Sequence, residues 1–158
     1  MNGSKSKQNR MANVTSMAVL IFCLAIALPA HARDTRHLVP IAIAMETKDA
    51  QVKLDGSIKF YFGDLPPPQV LTMLGSDVSN RKTNAFGKSD EKACNWAFLS
   101  AMVALEKRAQ QMGANAVINI VSYYNKKVIS SATEFECHAG AIMAGVALKG
   151  DFVKIIHG

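Results

Sequence analysis

Cysteine is scarce in this chain, three in 158 residues, too few for the disulfide-dense scaffold of a very small secreted protein. Ten glycines exclude a collagen-like repeat. Charged residues make up 19% of the sequence against 49% hydrophobic, a balance that excludes a wholly disordered chain. No apolar run reaches the ~20 residues of a membrane-spanning helix; the run from Met17 to Leu28 has 12. No internal repeat is visible, and the length excludes a large multi-domain enzyme. No nucleophile comes with a credible base, so a hydrolase is not expected. What remains is one small globular domain, with room for an appendage and enough residues to bury a core.

The beginning of the chain reads as an address. Lys5, Lys7 and Arg10 precede the apolar run with no acid among them, Pro29 ends the run, and Ala30-His31-Ala32 supplies small residues where a signal peptidase reads. Basic, apolar and small-residue regions in that order predict a secretory signal peptide over residues 1–32; a buried helix and an uncleaved anchor are the competing readings. Cys23 follows Phe22 rather than a small residue, so lipidation is not expected. Cleavage after Ala32 leaves 126 residues, removes three basic and no acidic ones, and lowers the net charge from +6 to +3. That weakens the case for a nucleic-acid surface. It also leaves two cysteines, Cys94 and Cys137, in an oxidising compartment, periplasmic or extracellular, with no stable membrane span.

In the remainder, residues 33–69 are expected to form N-terminal strands and a Pro-rich connector, and residues 70–158 a core domain. Leu38 to Met45 and Ser57 to Phe62 read as strands; in the second, Ile58, Phe60 and Phe62 alternate with Lys59 and Tyr61, the period of a half-buried strand. Pro66, Pro67 and Pro68 make a stiff extended link. Val70 to Ser79 reads as a strand broken at Gly75, and Arg81 to Lys88 as polar loop. Ser89 then caps a helix whose first turn carries Asp90 and Glu91. Cys94, Phe98, Ala101, Leu105, Ala109 and Met112 recur at helical spacing, and Gly113 is the stop. Trp96, Leu99 and Val103 widen the apolar surface of its first half, either for burial or for a partner. Ala114 to Val121 reads as a strand, Tyr124 to Ser131 as a loop with Lys126 and Lys127 at its tip. Thr133 to Ala139 alternates as a strand, and Ala144 to Ile156 supplies one or two more, interrupted by Gly145 and Gly150. One amphipathic helix on a mainly antiparallel sheet (β-α-β-β-β) behind an N-terminal strand pair is an α+β fold.

Alternation puts Phe135, Cys137 and Ala139 on one face of their strand and Glu134, Glu136 and His138 on the other. Cys94 lies on the inward stripe of the helix, so both thiols point between helix and sheet. A bridge would close a 43-residue loop, worth about 4 kcal/mol in lost chain entropy; the competing reading is two buried thiols that never meet. Glu134, Glu136 and His138 are the candidate ligands for a divalent metal, against the plainer reading of solvated side chains. Cys137 and His138, adjacent on a strand, face opposite ways and do not suit a catalytic dyad. Gly87-Lys88-Ser89 before a helix imitates the end of a phosphate-binding loop, but the motif needs another glycine at 82, where Lys82 stands. Nucleotide hydrolysis is therefore not expected, and no cofactor is implied.

Leu74-Gly75, Ser79, the run Arg108-Ala109, Met112-Gly113-Ala114-Asn115-Ala116-Val117, the Cys137 strand and Gly145-Val146-Ala147-Leu148 together resemble two related groups over about residues 70 to 155. These are the YbjQ-type small domains, often called heavy-metal-binding domains, and the periplasmic domain of the Rcs stress-sensor lipoprotein. Asn84 to Asp90 and Thr133 to Cys137 are similar, over most of residues 48 to 155, to small exported bacterial proteins of unknown function, some of which bear an excinuclease-ATPase name. The sensor resemblance implies a disulfide between a cysteine before the helix and one in a later strand, matched here to Cys94 and Cys137; the sensor's second disulfide and lipid-bearing cysteine have no counterpart here. YbjQ-type domains tend to form rings, so that resemblance implies self-association. Asn115, beside the helix stop, reads as structural, its amide satisfying loose backbone groups.

These readings lead to an exported, periplasmic, non-enzymatic domain that binds an envelope partner or acts in envelope sensing. Trp96, Leu99, Val103, Tyr123 and Tyr124 are the candidate contact residues. The alternative is a divalent-metal-binding protein.

Overall fold

A computed structural model describes residues 33–156. The leader expected over residues 1–32 lies outside them. Six strands and three helices build an α+β fold around one mainly antiparallel sheet. Its strands are β1 (Thr35–Pro40), β2 (Lys59–Phe62), β3 (Val70–Asn84), β4 (Ala116–Ser122), β5 (Glu134–Ala139) and β6 (Met143–Ile155). Two short helices, α1 (Ile41–Met45) and α2 (Lys48–Lys53), follow β1; the long α3 (Asp90–Met112) crosses from β3 to β4. The sheet order is β1-β5-β6-β4-β2, with β3 on the remaining side of β6. No helix among the described residues is long and apolar enough to cross a membrane.

The long helix follows from its local sequence. The Ser89 hydroxyl accepts from the Lys92 N–H at 3.3 Å, satisfying one of the orphan donors of the first turn, and Asp90 and Glu91 face the positive end of the dipole. Gly113 ends the helix in the left-handed region at φ 71°, which glycine adopts without a Cβ penalty. Between these signals Cys94, Phe98, Ala101, Leu105 and Ala109 are buried against the sheet. Phe98 is central, its ring 4.2 Å from that of Phe135 and 6.1 Å from that of Phe62.

Several expectations change where pairing partners are distant in sequence. The N-terminal strands do not pair with each other: β1 runs antiparallel to β5, and β2 runs parallel to β4. The first strand also ends at Pro40, and the stretch expected to continue it, up to Met45, is helical. Pro40 has φ −61°, the angle its ring imposes and one that suits a helix start; Ile41 and Ala44, three apart, are the buried pair. Helix α2 was not legible, being six polar-rich residues with Thr47 as its cap. Strand β3 does not stop at Gly75 or Ser79. Its register against β6 shifts near Gly75 and then runs evenly to Asn84, so Arg81 to Asn84 are strand rather than loop. Likewise β6 is one uninterrupted strand. At Gly150 a Cβ would lie 2.6 Å from Val117 Cγ1, so glycine there permits close packing instead of breaking the strand.

Glu106 is buried on α3, and one of its carboxylate oxygens has no hydrogen-bond partner among the described residues. Burial first, and then the neighbouring Asp55 charge, push its carboxyl above the usual range. An acid with a raised folded-state value favours folding only while protonated, so this contribution is lost as pH rises through that value. Glu106→Gln is therefore expected to raise the urea midpoint at pH 7, with the advantage shrinking toward pH 4. Equal midpoints at both values would contradict the assignment.

Candidate functional site

Cys94, in the second turn of α3, and Cys137, in β5, form a disulfide with Cα atoms 5.8 Å apart. Both residues are fully buried. The helical stripe and the strand alternation each aim one sulfur into the helix–sheet seam, and the β1–β5–β6 packing brings the two together. The crosslink fixes the turn of α3 that carries Lys92, Asn95 and Trp96.

Those three residues line a cleft of about 320 Å³, with Thr47 and Asp49 opposite and Leu99 beneath. The Trp96 ring is half-buried, with the Lys53 ammonium 6.0 Å from its centroid, within cation–π range. The Asn95 carboxamide oxygen is buried and has no hydrogen-bond partner among the described residues. The apolar stripe expected from sequence is thus divided. Trp96 and Leu99 share this cleft, Leu99 as a buried floor, whereas Val103 lines a separate groove beside β3.

Tyr123 and Tyr124 part in the same way. The Tyr123 ring lies under Lys149 at 5.6 Å. Tyr124 stacks on His138 with centroids 3.6 Å apart and planes 7° from parallel. This stacked pair separates two clefts of about 460 and 360 Å³. Burial, with the charges of Asp34 and Glu136 adding to it, raises the Tyr124 hydroxyl above its ordinary value.

The three candidate metal ligands do not share one point. His138 contacts Glu136 Oε1 through Nε2 at 3.3 Å and Asp34 Oδ1 through Nδ1 at 3.0 Å. Arg36 donates to the same Glu136 oxygen at 2.6 Å. Both imidazole nitrogens and this carboxylate oxygen are therefore engaged, while Glu134 is exposed and has no ion-pair partner among the described residues. No group of three or more His, Cys, Asp or Glu side chains there has a metal-holding arrangement.

Residues 33–37 were missed as site residues. Besides Asp34 and Arg36, Arg33 and His37 both bind Asp90, the latter at 3.1 Å, and the Arg33 hydrogen bond holds the Asp90 carboxyl below the usual range. Their alternating charges in Arg33-Asp34-Thr35-Arg36-His37 were the available signal. In the phosphate-loop imitation, Lys88 donates back to the Asn84 carbonyl at 2.7 Å and Ser89 is occupied as the helix cap. Asn115 has a structural arrangement as expected, its carboxamide pairing with the backbone of Ile155 at 2.8 and 2.9 Å.

No family model and no curated protein matches the chain.

Proposed function

We propose that the chain is an exported binding domain that receives an envelope partner in the Trp96 cleft and acts without catalysis. One observation carries the reading: the disulfide anchors the same turn of α3 that presents the cleft. An oxidised crosslink suits export, and a turn held in place before binding spares the cost of ordering it afterwards. Trp96 provides a half-exposed aromatic surface over an apolar floor, with Asp49, Glu91 and Lys92 at the rim. That combination matches the buried aromatic centre and polar rim of protein interfaces. The resemblance to exported bacterial domains, including the Rcs sensor's periplasmic domain, supports the same reading.

Two measurements test it. Intact mass of protein from the cell envelope is expected to show a chain beginning at Arg33 and lacking the two hydrogens of the free dithiol. A chain beginning at Met1 with both thiols open to alkylation overturns export. A photo-crosslinking residue at Lys92 is expected to give an adduct of defined mass that Trp96→Ala abolishes, while the same probe at the exposed Lys154 gives none. Adducts insensitive to Trp96→Ala overturn the site.

A further inference from the structure

Strand β3 is 15 residues long and pairs with β6 alone. Its other edge has no strand among the described residues, and most of its side chains are exposed. A bare edge presents backbone donors and acceptors that pair with water or with another strand. Proteins commonly protect such edges with bulges and with charges. Here the bulges protect only the beginning, where register shifts fall between Val70 and Thr72 and between Met73 and Gly75. From Gly75 to Asn84 the register is even, and this regular stretch carries Asp77, Arg81 and Lys82.

We propose that two copies of the chain join edge to edge through β3, antiparallel about a two-fold axis at Ser79, with Asp77 of each copy opposite Arg81 of the other. The charges select this register. Outward-facing backbone groups meet their equivalents only when the axis passes through a residue position. Centring on Ser79 uses Gly75 through Thr83 completely. It makes the Asp77–Arg81 pair twice and sets Lys82 against Ser76. Moving the axis by one residue places Arg81 opposite Gly75 or Ser79 and loses both pairs. Opposite charges across strands stabilise pairing and like charges oppose it, so edge charges that would exclude a stranger admit an identical copy in this one alignment.

Arg81 is available for the role: its guanidinium bonds only to the neighbouring Asn80 carbonyl, at 3.3 Å, and has no carboxylate partner among the described residues. Asp77 has an exposed contact with Arg108 at 3.7 Å, and its Oδ1 accepts from the Val78 N–H at 2.7 Å, a local contact that edge pairing replaces with the partner's backbone and the Arg81 guanidinium. A two-fold axis normal to the sheet puts both α3 helices on one side, and the groove lined by Asp77, Arg81, Ser100, Val103 and Lys107 then faces the joint. Isologous pairing of this kind closes as a dimer.

The test is sedimentation equilibrium on the processed, oxidised protein. The wild type is expected to show a monomer–dimer equilibrium. Asp77→Arg and Arg81→Asp should each weaken it about tenfold or more by creating two like-charge pairs. The double variant Asp77→Arg/Arg81→Asp should recover it, and an equimolar mixture of the single variants should give a heterodimer tighter than either homodimer. Circular dichroism and urea midpoints establish that each variant is folded. A wild type that stays monomeric to about 1 mM, a ring or other higher oligomer, a dimer indifferent to both reversals, or a double variant as weak as the singles overturns the proposal. Any of the last three would leave the edge to a different strand or the assembly to a different face.

Discussion

Replacing Cys94 and Cys137 together by alanine is expected to lower the unfolding free energy by about 4 kcal/mol, within the 2–5 kcal/mol usual for a native disulfide of a small secreted domain. The bond closes a loop of 43 residues that contains most of α3, all of β4 and the start of β5. Opening the loop leaves the folded contacts largely in place and enlarges the denatured ensemble, which is where most of the effect arises. Both sulfurs are fully buried, so substitution also removes packing at the helix–sheet seam. Against the 5–15 kcal/mol typical of a domain, the loss is large. Urea titration checks it: the midpoint falls, and the slope rises because the uncrosslinked chain exposes more surface on unfolding. Wild-type protein held in a strong reductant should approach the variant. If oxidised and reduced wild type melt together, the crosslink contributes nothing to stability.

The parts legible in sequence are those whose causes are local. Ser89, Asp90 and Glu91 specify the beginning of α3, Gly113 specifies its end, and the stripe from Cys94 to Ala109 specifies its buried face, all within one stretch of chain. Alternation in β5 likewise identified Phe135, Cys137 and Ala139 as inward. What escaped depends on partners far away in the chain. Glu136 and His138 were correctly put on one face, but their neighbours arrive about a hundred residues earlier, Asp34 just before β1 and Arg36 on it. Sharing a face also did not make Glu134 converge with them. Arg81 to Asn84 looked like loop because an exposed edge strand has no buried face to impose alternation; β6 alone makes it a strand. The consecutive Tyr123 and Tyr124 could not be told apart until Lys149 and His138 were placed beside them.

Phe98→Ala is expected to cost about 3–5 kcal/mol, the range for deleting a buried aromatic ring. The ring lies between Phe135 and Phe62, and the residue is 1% exposed, so truncation leaves a cavity bounded by helix, β5 and β2 at once. Elements joined in a sheet cannot all move inward to refill it, which argues for the upper part of the range. Phe98→Leu keeps much of the volume and should cost less, separating ring-stacking from simple filling. Urea midpoints of Phe98→Ala, Phe135→Ala and the double variant provide the cycle; a coupling near zero would show that the rings do not act as a stack. Because Phe98 lies one helical turn from Cys94, its effect should not simply add to loss of the disulfide. In the reduced protein the same turn is already less constrained, so Phe98→Ala should there also broaden the urea transition. It should disturb the Trp96 cleft as well, which the fluorescence of the chain's one tryptophan reports directly.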